Sequence, residues 1–400
     1  MEPNSLILLV LLLLAAGGLL YALVRYRHLA IRISAATVAV AVAMTAGVLL
    51  VNDYYGYYQT WGQLTTDIAG SYPGYPADPV STKGLPQPGA GRLESMQLPG
   101  KLSGINRGGL VYLPPQYFQP RYAHTVFPVL ELMHGSPGSP STWIVHLKLA
   151  DTVARLIRAR QIGPMILVMP AMNAGRDFQD CVDARGALDD TYITSDVRTD
   201  VLARFRASTD PAEWGIAGYS SGGYCAANLA TRHPAEFGAA AAMDGYFRPQ
   251  DGPAAQALHF DSAAEAANDP LRAAAGAGRD GRPVPSFWLS VGDGDSGDVA
   301  AAQAFTGALR GVESVALYQV PAAGHNFYAW QPAIPYVLHW MWTQLAPPDL
   351  RVSFPLSGGV TTSNIPLSPQ MLAAARARAG QHRRPLPSPS TSPLRNVTGF

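Results

Sequence analysis

The sequence predicts an α/β domain, a mostly parallel sheet with helices on both faces, carried behind two apolar N-terminal helices. Three observations predict it. Short apolar runs alternate with helix-period segments from about residue 93 to residue 346, the order that builds parallel sheets through helical crossovers. Runs such as Pro164–Met169 show no polar alternation, as in strands covered on both sides. One run, Trp214–Ala217, leads through Gly218-Tyr219-Ser220-Ser221-Gly222 straight into a helix-forming stretch.

The elements follow in order. Leu6–Val24 and Ile33–Val51 are nineteen residues each, uncharged and without a polar face, close to the roughly 20 residues that cross a bilayer as a helix. Between them, residues 25–32 carry three arginines and no acid. The positive-inside rule puts that loop in the cytoplasm and everything beyond Val51 outside. The rival expectation is a cleaved signal peptide. The first run has no basic segment before it, but the second has arginines ahead and Ala43-Met44-Thr45-Ala46-Gly47 within. A membrane hairpin over residues 1–52 is the expectation adopted.

Residues 53–92 open with Tyr54, Tyr55, Tyr57, Tyr58 and Trp61 and then become rich in proline and glycine. They read as an interfacial aromatic belt followed by a linker. At the far end, residues 347–400 form a basic Pro/Ser-rich tail; from 351 onward it holds six arginines and no acid. Such a composition predicts disorder, and the sequon at Asn396 falls inside it.

In the domain, strands are expected at Arg107–Leu113, Phe127–Met133, Pro164–Met169, the run before Ser220, Phe237–Met243, Phe287–Val291 and Val315–Val320. Helices are expected at Ser141–Arg160, Thr194–Phe205, Gly222–Ala230, Val299–Leu309 and Ile334–Leu345. Functional loops then belong at the carboxyl ends of the strands. A net charge of +1 suggests no nucleic-acid partner.

A G-x-S-x-G between strand and helix is the nucleophile elbow of the α/β-hydrolases, which makes Ser220 the candidate nucleophile. A frame centred on Ser221 fails, because Tyr219 would stand where the first glycine belongs. A serine hydroxyl needs a base, and the base an orienting acid. In this fold the chain order is serine, acid, histidine. Of nine histidines, His325 alone follows a late strand and a glycine, and it is the candidate base. The acid is sought in Val291-Gly-Asp-Gly-Asp-Ser-Gly-Asp298, after the preceding strand. Three aspartates compete: Asp295 is the favoured candidate, Asp293 the next and Asp298 the last, with Asp298 also suited to cap the next helix.

A calcium loop here would place Gly297 and Asp298 in the wrong order and Ala304 where a bidentate glutamate is needed. No metal and no cofactor is expected. For the oxyanion, the N–H groups of Ser221 and Ser136 are the candidate donors. Pro137 has no N–H to offer, and His134 is positioned to brace that loop. Cys181 and Cys225 both fall near the top of the sheet on a chain expected to face an oxidising exterior, so a disulfide is expected, with two buried thiols as the alternative.

Taken together, Phe127–Gly135, Ile216–Gly223, His233-Pro234 with Phe237, Gly292-x-x-Asp295 and Gly324-His325 followed by Trp330 resemble the putative-esterase family. It includes esterase D (S-formylglutathione hydrolase), feruloyl esterase domains and secreted mycolyltransferases. Val111–Pro115 also looks like its early strand. The resemblance spans roughly residues 93–346 and implies an α/β-hydrolase fold with a serine triad, without fixing a substrate. Ser221 replaces the methionine that many members carry after the nucleophile. Residues 247–284 match nothing in the family and could supply a lid or an acyl pocket.

The expectation is therefore a membrane-tethered, extracytoplasmic serine esterase acting on an ester-bearing small molecule, lipid or envelope component, with no obligate protein partner. The alternatives are acyl transfer to a sugar or lipid hydroxyl, as the resemblance to mycolyltransferases implies, and a non-catalytic envelope-binding module.

Overall fold

The computed structural model describes residues 2, 3, 5–66, 82, 83, 85–87, 89–136, 138–172, 180–184, 187–276, 284–309 and 315–356, all within one compact unit. Of the tail expected to be disordered over 347–400, residues 357–400 with the sequon lie outside the described residues, as does most of the proline-rich linker.

Eight strands form one sheet: β1 (Arg92–Pro99), β2 (Asn106–Leu113), β3 (Val129–Met133), β4 (Ile166–Pro170), β5 (Trp214–Tyr219), β6 (Ala239–Met243), β7 (Ser286–Gly292) and β8 (Val315–Val320). Their spatial order is β1-β2-β4-β3-β5-β6-β7-β8. β2 runs antiparallel to both β1 and β4, and every pairing from β4 to β8 is parallel. β3, β4, β5 and β6 are buried along their whole length, which is why they carry no polar alternation.

Two apolar helices, α1 (Leu6–Arg25) and α2 (Leu29–Tyr55), pack side by side ahead of the sheet. Both are long and apolar enough to cross a membrane. Within the domain the main helices are α3 (Leu149–Arg158), α4 (Ser221–Arg232), α5 (Ser296–Ala308) and α6 (Phe327–Leu345). A Cβ on Gly215 of β5 would meet Leu345 and Met341 of α6. One on Gly218 would meet the backbone of Gly222 in α4. Strand positions of opposite parity face opposite sides, so α4 and α6 cover the two faces of the sheet.

Several expected boundaries move. The helix expected over 141–160 is two, Pro140–Val145 and α3, separated at Lys148, whose φ of 52° is left-handed. The helix expected over 194–205 begins as a widened turn, Tyr192–Val197, before the α-helix Arg198–Arg204. α6 starts at Phe327, seven residues before the expected Ile334. Pro332 and Pro335 argue against helix there by propensity, but Asn326 caps the start by accepting the Tyr328 N–H, and Trp330, Ala333 and Ile334 are buried. Packing thus overrides the local preference. At the C-terminal end, the helix Pro348–Ser353 adds buried Leu350, and the Phe354 ring meets Tyr122 and Trp342. The packed domain therefore runs on to about residue 356.

The aromatic start of the segment expected over 53–92 is folded. α2 continues to Tyr55 and ends on Gly56 at φ 63°. Asn52 closes the turn, donating to the Tyr58 carbonyl at 2.8 Å and accepting from its N–H at 2.7 Å. A short helix, Trp61–Thr66, follows. Residues 54–63 then lie against the hydrolase domain: the Gln63 amide donates to the Val145 carbonyl, and the Tyr57 ring packs on His146 and Phe327.

Candidate active site

β5 ends at Tyr219 and α4 begins at Ser221, so Ser220 alone makes the turn, at φ 56° and ψ −126°. A non-glycine residue held there is strained, and such strain at a strand–helix corner is what lifts a nucleophile above the sheet. The glycines make the corner possible. A Cβ on Gly222 would come within 2.3 Å of the Met133 carbonyl, and one on Gly223 within 2.9 Å of Gly245 Cα. The Ser220 N–H is anchored on the Met243 carbonyl of β6 at 2.9 Å.

His325 follows β8 and reaches back to the corner. Its Nε2 lies 2.8 Å from Ser220 Oγ, and its Nδ1 lies 2.6 Å from Asp298 Oδ2. An ionised carboxylate only accepts, so Nδ1–H donates to Asp298 and Nε2 is left to accept the serine proton. The chain thus brings Ser220, His325 and Asp298 together. The expectation for the acid is corrected: Asp295 is the N-cap of α5, its carboxylate accepting the N–H groups of Gly297 and Asp298 at 3.0 and 3.1 Å. Asp293 also faces away and accepts the Ala322 N–H at 2.7 Å. Asp298 sits one turn into α5, where its side chain can reach the histidine loop.

Burial works against protonation of His325, but the hydrogen bond and charge of Asp298, with Asp244 and Asp295 adding, outweigh it and hold the imidazole pKa above 6.5. Only the neutral ring can take a proton. As pH falls, His325 is therefore lost as a base earlier than an unperturbed histidine would be. The acid limb of kcat/KM is expected above pH 6.5 and is expected to move to lower pH in Asp298→Asn; a pH–rate profile of both forms checks it.

Asp244 is a site residue that the strand pattern alone did not single out. It follows directly on β6 at φ 47° and accepts the Gly292 N–H at 2.8 Å and the Trp330 indole N–H at 2.6 Å. Burial pushes its pKa up to about 7 against those hydrogen bonds and the nearby His325. Through Gly292 it holds the end of β7, and through Trp330 the start of α6, whose indole meets the His325 ring edge-on at 5.3 Å. The signal available in the sequence was a carboxylate directly after a buried strand, the same logic applied to the 291–298 loop.

The loop after β3 borders the nucleophile, since a Cβ on Gly135 would stand 3.1 Å from Ser220 Cβ. Ser136 is the next residue, and Ser221 is the first residue of α4, where an N–H has no intrahelical acceptor. His134 braces this loop: Nδ1–H donates to the Gly135 carbonyl at 2.9 Å, and Nε2 accepts the Met172 N–H at 3.1 Å. Burial depresses its pKa to about 4, so it stays neutral. Arg107, buried on β2, donates to the Met172 carbonyl and pairs with buried Asp189, tying the loop after β4 to the sheet.

Cys181 and Cys225 are joined in a disulfide with Cα atoms 5.5 Å apart. It ties the segment after β4 to the first turns of α4. Asp180 beside it accepts from Tyr246 Oη and from the Ala254 N–H, and Tyr224 Oη donates to the Asn268 carbonyl at 2.7 Å. The described part of 247–284 therefore packs along α4.

Residues 102–341 match the family described as Putative esterase. A protein of Corynebacterium glutamicum described as uncharacterized is 27% identical over 327 residues, covering 78% of this chain and 76% of that one. Among solved structures, a ferulic acid esterase superposes with a TM-score of 0.55 at 22% identity, covering 64% of this chain and 98% of the other. An S-formylglutathione hydrolase from Agrobacterium tumefaciens does so with a TM-score of 0.55 at 18% identity, covering 67% and 100%. A fluorophosphonate-binding serine hydrolase of Staphylococcus aureus gives 0.53 at 19%, covering 63% and 99%. These structures share the α/β-hydrolase fold with the chain.

Proposed function

The chain belongs to the Putative esterase family, and from that premise we propose a membrane-anchored serine esterase whose catalytic domain lies outside the cytoplasm. The observation that carries the chemistry is His325 bridging Ser220 Oγ and Asp298 at 2.8 and 2.6 Å beside a strained corner. Ser220 Oγ attacks the ester carbonyl as His325 Nε2 takes its proton. The N–H groups of Ser136 and Ser221 receive the developing oxyanion. His325 returns the proton to the departing alcohol, then activates water to release the acid from Ser220. Asp298 keeps Nδ1 protonated and the ring aimed.

The anchor rests on α1 and α2. Glu2 before α1 accepts the Trp61 N–H beyond α2 at 2.9 Å, so the two outer ends of the hairpin lie on one side, with the domain. Arg25, Arg27 and Arg32 support a cytoplasmic position for the loop at the other end, and the disulfide suits an oxidising exterior.

One labelling experiment addresses both halves. A membrane-impermeant fluorophosphonate applied to intact cells is expected to label the protein, and Ser220→Ala to abolish labelling. Absence of labelling even after lysis would remove the serine chemistry, and labelling only after lysis would remove the outward orientation. Whether water or an alcohol receives the acyl group is read from the products formed with and without an added acceptor alcohol.

A further inference from the structure

The residues that leave the second apolar helix fold directly onto the loop that carries His325. The Asn326 amide, one residue after His325, donates to the carbonyl of Tyr54 in the last turn of α2 at 3.0 Å. The Tyr57 carbonyl lies 2.7 Å from His146 Nδ1, and the Tyr57 ring meets Phe327 edge-on at 5.2 Å. Phe327 in turn touches Tyr219, which precedes Ser220, and Trp330, which borders His325. Gln59 adds a bond to Gln331 at 3.3 Å. A side chain at Gly56 would strike the Tyr328 ring at 2.6 Å, so the backbone itself is pressed against α6.

These contacts decide where the crevice sits. The last residue of the uncharged run is Val51, and Tyr54 lies three residues on, about 4.5 Å along a helix. Tyr54, Tyr55 and Trp61 are 57%, 48% and 43% exposed, a collar of the kind that rests at the membrane–water interface. One residue of that collar is bonded to the neighbour of His325. A domain on a free linker would hold its active site at any height. Here the strap removes that freedom by tying the histidine loop to the end of α2, which supports a crevice at headgroup depth.

From this geometry, and resting on the membrane-anchored esterase reading above, we infer that the substrate is an amphiphilic ester resident in the same membrane. Its acyl chain stays in the hydrocarbon layer while its carbonyl, at the headgroup boundary, meets Ser220. The Ser220 Oγ–acyl bond forms as the ester C–O bond breaks, the alcohol leaves with the proton from His325, and water then frees the fatty acid. Residues 52–63 are positioning residues in this scheme.

The test uses the full chain in phosphatidylcholine nanodiscs, with a long-chain fluorogenic ester (4-methylumbelliferyl oleate) placed in the same discs or in separate protein-free discs. Water-soluble p-nitrophenyl acetate serves as the control. At equal bulk concentration the ester in the same disc is expected to turn over roughly tenfold faster or more than the ester in separate discs, because confinement raises its effective concentration. Inserting about seven helix-forming polar residues between Val51 and Asn52 lifts the domain by about 10 Å while leaving the strap's contacts with the domain in place. That insertion is expected to remove the same-disc advantage and leave acetate turnover unchanged. Equal rates from both placements, or an insertion without effect, with acetate still hydrolysed, would overturn the inference alone. No turnover of either ester would overturn the esterase reading with it.

Discussion

Asp298→Asn is expected to lower kcat by about four orders of magnitude, the loss seen when a triad histidine keeps its place but takes the wrong tautomer. The amide can present its NH2 to Nδ1, which moves the ring proton to Nε2 and leaves nothing to accept from Ser220. The neighbouring substitutions give the contrast. Asp295→Asn keeps an oxygen that can accept the Gly297 and Asp298 N–H groups and is expected to leave kcat within a few-fold. Asp295→Ala loses the cap and about 1 kcal/mol of stability, with a modest effect on rate through the start of α5. Steady-state hydrolysis of p-nitrophenyl acetate by the three variants, with thermal unfolding measured alongside, checks it. A large kcat loss in Asp295→Asn with little change in Asp298→Asn would reassign the acid to the position that the Gly-x-x-Asp pattern favoured.

Replacing both Cys181 and Cys225 by serine is expected to cost roughly 4 kcal/mol, the loop-closure term for the 44-residue separation that the bond spans. At this domain size that corresponds to a fall in the thermal midpoint of roughly 10 °C. The expected consequence is for stability more than for turnover, because the segment has a second anchor: Asp180 still binds Tyr246 and the Ala254 N–H. Thermal unfolding of the full chain in detergent, with and without a phosphine reductant, measures the effect. A midpoint unchanged by the double substitution would show that the bond contributes nothing to the native state. Fluorophosphonate labelling at 25 °C is expected to persist in the same variant.

Where the sequence was misleading, the cause was local chemistry with more than one use. Asp293, Asp295 and Asp298 are equivalent candidates on paper, since each is an acid in a glycine-rich turn after a buried strand. Which one meets His325 depends on where α5 begins and how its first turn faces β8. The cap position of Asp295, which points its carboxylate at the backbone, decides that. Asp244 does not stand out in the sequence because its role runs through Trp330 and Gly292, partners 86 and 48 residues away. The start of α6 is not legible in the sequence because two prolines argue against a helix that burial enforces.

The Gly-x-Ser-x-Gly corner, the strands buried on both sides, the order of serine before histidine and the two apolar runs were legible in the sequence itself. Each is written in short-range periodicity or in residues whose backbone demands are intrinsic, such as glycine at a close approach. The tertiary structure decided which aspartate reaches the imidazole and that residues 54–63 lie against the histidine loop in place of trailing as a linker. Both depend on contacts between segments far apart in the chain, and neither hydropathy nor spacing encodes which of several chemically equal partners will meet.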